Sequence, residues 1–207
     1  FKLNPPSVSP YTEKLMLQLL LEYRGFSEVF RENNWRYDNI AEALGLPSEM
    51  ENSDDFCAKV KKLLQGRNKT LPKLTALCVN ENPIIQQNID TLTQLLSLNA
   101  AEKTLFRLSV QLRLDEPLKE LTGVLPKSNL VGVSEVLSNL FGLPKSDIIS
   151  ALKDKGKLLG YGLLERNYNP DRFHDYLDWG KMLDFDEFIS EPLNEQVLLK
   201  VCTKPAI

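Results

Sequence analysis

One short segment brings together four side chains that could act in acid–base or metal chemistry. They are spaced three and four residues apart, and they are Asp171, His174, Asp175 and Asp178. We expect a helix to begin at Asn169-Pro170 and run to Leu177, and on a helix this spacing places all four on one face. Carboxylates near a helix start are also favoured by the helix dipole. Because His174 is the only histidine, we interpret the segment as a solvated acidic face and keep a metal-dependent hydrolase as an alternative.

The chain contains no motif for binding nucleotide phosphates. A P-loop needs G-x-x-x-x-G-K-[ST], in which glycines bend the backbone around the phosphates and the lysine reaches the terminal ones. Gly156-Lys157 and Gly180-Lys181 lack the following Ser or Thr and the earlier glycine. The serines have no G-x-S-x-G setting, and no C-x-x-C pair occurs among Cys57, Cys78 and Cys202. We therefore expect no catalytic residue, metal or cofactor in this chain.

A helix-turn-helix is predicted between Leu130 and Leu152. An apolar stripe runs from Leu130 to Leu140, Gly142 suits the end of that helix, and Pro144 suits the first turn of the next one. Gly156 then permits a turn into an apolar ribbon over Leu158–Leu164. This order of elements is typical of a winged-helix unit, which we place at about residues 128–166.

The second helix of this unit and its surroundings supply the candidate partner contacts. Five of these candidate residues lie on or beside that helix. Trp179 is added because large aromatic side chains anchor interfaces. The candidates are Lys145, Ser146, Ser150, Lys153, Lys157 and Trp179. A DNA reader usually directs Arg, Asn or Gln toward base edges, and none occurs from Lys145 to Lys157. Asp147 and Asp154 would repel phosphates. We expect a protein partner and keep a winged-helix DNA-binding regulatory domain as the alternative.

Composition fits a globular chain with a sizeable core. Of its 207 residues, 43% are hydrophobic and 26% charged, and the net charge of −3 argues against nucleic-acid binding. No apolar run approaches the roughly 18 residues of a membrane span, and no secretory signal is present. We therefore expect a cytoplasmic protein without a membrane partner. Because Phe1 is not a start methionine, we expect the natural chain to be longer.

Local signals predict a mainly α fold. Ser9-Pro10 and Asn82-Pro83 mark helix starts, and Asn99 with Glu102 forms a relative of the capping box. The polar, basic stretch Gln65–Pro72 suggests a subdomain boundary. We predict a helical, bundle-like N-terminal subdomain over residues 1–70. Residues 71–207 are predicted to form a helical domain that contains the winged-helix-like unit, its short β-ribbon and a C-terminal helical extension.

Four short motifs follow one another in the second half of the chain. They are Leu98-Asn99-Ala100-Ala101-Glu102, Gly162-Leu163-Leu164, Asp175-Tyr176-Leu177 and Glu191-Pro192-Leu193. In this order they resemble the region upstream of the ATPase module in a group of bacterial AAA-family ATPases. That region carries LSxAExxLLxLAxxLR, then a helix-turn-helix with GLL, then DYL and EPL. The resemblance covers about Leu95 to Ile207.

The resemblance implies that this chain is the N-terminal accessory region of such an ATPase. A nucleotide-binding module that holds ATP and Mg²⁺ would follow in the same chain beyond Ile207, and the full protein would assemble as a ring oligomer. By analogy, the accessory region would recruit a protein substrate or adaptor, or regulate the ring. The expected function is therefore a non-catalytic recognition or regulatory domain, with ATP hydrolysis located elsewhere in the protein.

Overall fold

Helices make up most of the structure, which confirms the predicted mainly α class. The computed structural model describes residues 3–31, 34–35, 38–46, 54–77, 82–165 and 167–203. The α-helices of this part, in chain order, are α1 (Pro10–Glu22), α2 (Gly25–Val29), α3 (Asp38–Ala43), α4 (Asp54–Thr70), α5 (Pro83–Leu95), α6 (Ala100–Leu114), α7 (Glu116–Val124), α8 (Leu130–Phe141), α9 (Lys145–Leu152), α10 (Lys157–Gly160), α11 (Phe185–Ser190) and α12 (Glu195–Thr203). None of these helices is both long enough and apolar enough to cross a bilayer.

Short irregular elements connect the helices. Two-residue strands, β1 (Phe30–Arg31) and β2 (Asn34–Trp35), pair antiparallel. Single 3₁₀ turns occur at Leu74–Ala76 and His174–Tyr176. Among the cysteines, Cys57 is half-buried, Cys202 is exposed, and Cys78 lies outside the described residues.

The chain divides into two compact units. The first comprises Phe1–Cys78 and Asp115–Lys127, and the second comprises Val79–Leu114 and Ser128–Ile207. Helix α7 thus joins the N-terminal residues although the chain reaches it only after α5 and α6. The domain limits expected from the sequence, 1–70 and 71–207, stay a prediction about folding domains.

The first unit is built around α1, which packs on α2, α4 and α7. Ser9 caps the helix as predicted, because its side-chain oxygen accepts the backbone N–H of Thr12 at 3.2 Å. Charged side chains at the buried surface of α1 are paired. Glu13 forms an ion pair with Arg67, and Lys14 Nζ donates to the Asn68 carbonyl oxygen at 2.6 Å. These pairs join α1 to α4 while satisfying the buried charges.

Predicted caps also begin two helices of the second unit. The Asn82 side-chain oxygen accepts the Ile84 N–H at 2.9 Å and starts α5. The Asn99 side chain accepts the Glu102 N–H, and the Glu102 carboxylate accepts the Asn99 N–H, each at 2.9 Å. This reciprocal pair is a capping box with Asn in place of Ser or Thr, and its prediction is confirmed.

The helix-turn-helix forms, but the predicted ribbon beside it does not. Helix α8 ends at Gly142, whose φ of 65° places it in the left-handed region, and α9 then packs back on α8. The strand pair expected over Leu158–Leu164 is wrong. Lys157–Gly160 forms the helical turn α10, and the Leu158 carbonyl accepts the N–H groups of Leu163 and Leu164. The N–H groups of Leu163 and Leu164 bond within the turn, so these two backbone groups need no partner strand there.

Candidate functional site

A cleft of about 560 Å³ opens beside the C-terminal end of α9. Its buried or half-buried apolar lining includes Leu130, Leu152 and Leu159. Charged residues of both signs also line the cleft, namely Lys153, Asp154, Lys155, Glu165 and Asp175. We call this feature the α9 cleft. An apolar base inside a charged rim is the usual composition of a surface that binds another protein.

Two tyrosines border the α9 cleft with different environments. Tyr168 is 85% exposed, which is unusual for a large aromatic side chain. Tyr176 is half-buried and donates its hydroxyl hydrogen to the Pro170 carbonyl oxygen at 3.2 Å. Burial, and then the negative charges of Asp175 and Asp171, raise the pKa of Tyr176. Tyr176 therefore stays protonated near neutral pH and holds the loop that carries Pro170.

The acidic segment does not form the predicted α-helix between Asn169-Pro170 and Leu177. The structure has a single 3₁₀ turn there, and the Asp175 carboxylate accepts the backbone N–H groups of Asp171 and Arg172 at 3.0 and 2.9 Å. Phe173 and Leu177 are buried on either side of this turn. The Asp175 side chain thus closes a local turn through backbone N–H groups, and such side-chain bonds compete with a regular α-helix.

This path removes the helical face on which the metal interpretation depended. The one-face arrangement expected for Asp171, His174, Asp175 and Asp178 depended on an α-helix and is wrong. Asp175 instead caps a turn, and its other carboxylate oxygen lies 3.5 Å from His174 Nε2. Within the described ranges, no group of three or more His, Cys, Asp or Glu side chains could hold a metal ion. A metal-dependent hydrolase therefore has no geometric support in this part of the chain.

The predicted contact residues of α9 lie at the surface, and one of them reaches the cleft. Ser146 and Ser150 are exposed, and the Ser150 hydroxyl donates to the Ser146 carbonyl at 2.8 Å. Lys145 Nζ pairs with the Glu135 carboxylate at 3.0 Å. Lys153 is exposed at the end of α9 and lines the α9 cleft. Of these four residues, Lys153 is the one placed to touch a molecule in the cleft.

Two other predicted contact residues take part in internal packing. Lys157 Nζ donates to the Ser97 carbonyl oxygen and lies 4.0 Å from the Glu102 carboxylate, which ties α10 to the start of α6. The Trp179 ring stacks on Phe106 with centroids 5.5 Å apart, and its Nε1 donates to the Leu183 carbonyl at 2.9 Å. Both side chains thus have structural roles, and their contact with a partner stays a prediction.

The sequence did not single out Tyr168, and it did not predict that Lys155 and Tyr176 would line one cleft with it. Tyr168 lies between Asn167 and Asn169 in a polar stretch without helical or strand periodicity. A large aromatic residue in such a stretch has no core face to join, and this is the signal that could have identified it. Lys155 and Tyr176 come to the cleft only through the turns after α9 and after Pro170, which the sequence pattern did not predict.

Comparisons with protein-family models, with curated proteins and with solved structures found no match. The function is therefore proposed from the geometry of the α9 cleft together with the sequence motifs.

Proposed function

We propose that this chain is a non-catalytic protein-recognition region and that its partner binds at the α9 cleft. The observation that carries the proposal is the 85% exposed side chain of Tyr168 beside an apolar-based, charge-rimmed cleft. Tyrosine supplies a large contact area at a low cost in side-chain entropy, and it is enriched at binding hot spots. A protein partner fits this combination because it can cover the apolar base and pair with both signs of charge.

The polar groups around the cleft support binding rather than bond chemistry. Asp175 accepts backbone N–H groups, Tyr176 donates to a backbone carbonyl, and Glu165 pairs with Lys181. Each of these groups stabilises the loop that shapes the cleft. The proposed role of the cleft wall is therefore to present Tyr168 and Lys153 on a fixed surface.

We further propose that the region belongs to a bacterial, cytoplasmic AAA-family ATPase. The support is the resemblance in sequence over about Leu95 to Ile207, which includes the turn Gly162–Leu164 and the segment Glu191–Leu193. In that setting the cleft would recruit a protein substrate or adaptor to a ring oligomer. ATP and Mg²⁺ would bind in a module after Ile207, and the motions driven by ATP would arise there.

The reading frame beyond Ile207 tests the parent class. A strand followed by G-x-x-x-x-G-K-[ST] is expected, and a stop codon or an unrelated domain would contradict membership in this family. The complete ATPase then tests the role of the cleft. Tyr168→Ser is expected to leave basal ATP hydrolysis unchanged and to abolish its response to the protein partner. Leu199→Ser is the matched control, since Leu199 is exposed on α12 and does not line the α9 cleft.

DNA binding is the second candidate, favoured by the helix-turn-helix of α8 and α9 with Ser146 and Ser150 exposed on the second helix. The carboxylate of Asp147, also exposed on α9, opposes it. Duplex binding at low salt, weakened by Lys153→Glu, would support this candidate, and no mobility shift at low salt would remove it.

A further inference from the structure

Helix α4 begins with Asp54 and Asp55, and the rest of the helix and the turn after it are strongly basic. From Phe56 to Leu77 the chain contains six basic residues and no acidic one, although the whole chain has a net charge of −3. The six are Lys59, Lys61, Lys62, Arg67, Lys69 and Lys73. Such a concentration of one sign within an acidic chain predicts an anionic partner.

Two of these cations have roles inside the unit. Arg67 pairs with Glu13 and also donates to the Leu44 carbonyl oxygen at 2.6 Å. Lys61 Nζ lies 5.6 Å from the centroid of the Phe26 ring, which is a cation–π distance. Lys59, Lys62 and Lys69 are exposed, and no ion pair joins them to any residue that the structure describes.

The three exposed lysines lie on one face of α4. Together with the residues between them, they follow the three- and four-residue spacing of a helical face, and the face consists of Lys59, Lys62, Leu63, Gly66, Lys69 and Thr70. We call this face the basic stripe. Lys59 and Lys69 are about 15 Å apart along the helix axis at 1.5 Å per residue. The stripe is therefore long enough to meet about three turns of a partner helix.

An open depression of about 690 Å³ lies along the basic stripe, and its described lining comes from α4 alone. Leu63 lines it and is 36% exposed, so an apolar side chain faces solvent between the lysines. Gly66 also lines it, and a methyl group placed there would meet no atom within 4 Å. Without a side chain at Gly66, a partner backbone can approach α4 closely. The middle of the stripe is thus apolar and open, and its flanks are cationic.

We propose that the basic stripe binds an amphipathic helix of a partner protein, with Leu or Ala along its apolar seam and carboxylates beside it. Leu63 and Gly66 fit the seam, and Lys59, Lys62 and Lys69 fit the carboxylates, as apolar and charged positions match when two amphipathic helices pair. Single-stranded nucleic acid is usually bound through aromatic stacking, and the stripe has no aromatic residue. A membrane surface would require more than one apolar anchor. This surface belongs to the first unit, and the proposal does not depend on the function of the α9 cleft.

Peptide binding by the 207-residue chain tests the proposal. The probe is a fluorescein-labelled helical peptide of Glu, Leu and Ala repeats, compared by anisotropy with the same peptide carrying Gln for Glu. We expect the Glu peptide to bind more tightly and its affinity to fall when salt is raised from about 50 to about 500 mM. Lys59→Glu combined with Lys62→Glu is expected to weaken binding by about tenfold or more. Leu63→Ser should also weaken it.

Lys119→Glu is the matched control, because Lys119 is an exposed lysine on α7 of the same unit and lies outside the stripe. Equal affinity for the Glu and Gln peptides would overturn the proposal. Tighter binding of a single-stranded oligonucleotide or of anionic phosphatidylserine vesicles, lost in the same lysine variants, would overturn it as well. If the charge-reversed protein loses its helical circular dichroism, the neutral variant Lys69→Gln and the salt dependence of the unaltered chain decide the result.

Discussion

Two regions of the second unit use aromatic and polar residues in opposite ways. Around Asn88 and Trp179, polar atoms bond to the backbone and aromatic rings stack on one another. Around the α9 cleft, Tyr168 faces solvent and charged side chains line an open space. The first region is a packed scaffold and the second is a presented surface. The difference indicates that different residues of the same unit provide stability and recognition. Mutations in the packed region should therefore lower stability, and mutations at the cleft should weaken partner binding.

The packed region is organised by one buried amide. Asn88 on α5 is 1% exposed, and its Nδ2 donates to the carbonyl oxygens of Phe188 at 2.8 Å and Glu191 at 2.7 Å. Its Oδ1 accepts the Leu193 N–H at 2.9 Å. Next to this clamp, the Trp179 ring lies 5.1 Å from the Phe188 ring. Asn88 thus fixes the end of α11 and the turn that follows it, and Asn82 adds a bond from its Nδ2 to the Ile189 carbonyl oxygen at 3.3 Å.

The largest effect is expected at Gly180, where the backbone leaves no room for a side chain. A methyl group at this position would overlap the backbone carbonyl of Gly162, with Leu163 also in contact. Gly180→Ala should therefore destabilise the protein by about 3 kcal/mol or more, measured by urea unfolding. Gly142→Ala is the control. Open space surrounds Gly142, so only its left-handed backbone penalises alanine, by about 1 kcal/mol. Equal losses for the two variants would contradict tight packing at Gly180.

The next largest effect is expected from removal of the buried amide. Asn88→Ala leaves two carbonyls and one N–H without their partner, and each unsatisfied buried group costs about 1 kcal/mol or more. We expect a loss of about 2–3 kcal/mol in the free energy of unfolding. Gln87→Ala, at the exposed neighbouring position of α5, should change it by less than about 0.5 kcal/mol. A stable Asn88→Ala protein would show that water replaces the clamp.

A smaller effect on stability is expected at the half-exposed carboxylate of Asp90. Burial acts to raise its pKa, but hydrogen bonds from Lys103 and Gln86 and the charges of Lys103 and Arg107 together lower it. A lowered pKa in the folded state contributes stability above the unfolded value of about 3.9, and this contribution is lost as the pH falls through the folded pKa. Because the side chain is 41% exposed, solvent screening limits the contribution to about 0.5 kcal/mol. The stability difference between the wild-type chain and Asp90→Asn should be present at neutral pH and close in acid. A difference that grows in acid would contradict this sign.

The smallest effect on stability is expected at the presented surface. Tyr168→Ser removes a side chain that is almost fully exposed, so the free energy of unfolding should change by less than about 0.5 kcal/mol. Urea unfolding at neutral pH measures this change. A loss of more than about 1 kcal/mol would mean that Tyr168 packs against the unit, and the contrast with the Asn88 region would then fail.

Local chemistry in the sequence predicted the helix ends well. Ser9, Asn82 and the Asn99–Glu102 pair cap helices through groups two or three residues away, so their neighbours in sequence determine the outcome. Gly142 likewise ends α8 through its own backbone. Because such signals require no tertiary contact, they could be read directly from the residue order.

The prediction from sequence failed where contacts outside the helical and strand patterns determine the backbone conformation. Leu158–Leu164 has the composition of a strand, but Lys157–Gly160 forms a helical turn, and Leu164 pairs with Trp179 in a single antiparallel bridge. In the acidic segment, the Asp175 carboxylate accepts two backbone N–H groups and closes a local turn where an α-helix was predicted. The α9 cleft is lined by residues of these two segments, of the stretch between them, of the start of α8 and of the end of α9. The sequence therefore identified Lys153 as a candidate contact residue but did not predict which residues form the cleft around it.

Photo-crosslinking at position 168 tests the central claim most directly. The photoreactive residue p-benzoylphenylalanine replaces Tyr168 in the natural full-length protein, and we expect a discrete crosslinked adduct. Protease treatment should remove this adduct and nuclease treatment should leave it intact. The substitution Lys153→Glu should lower its yield. The same group placed at Leu199 should give no such adduct. An adduct that nuclease removes would contradict a protein-binding role for the α9 cleft. A crosslinking yield at position 168 no higher than the yield at position 199 would contradict it as well.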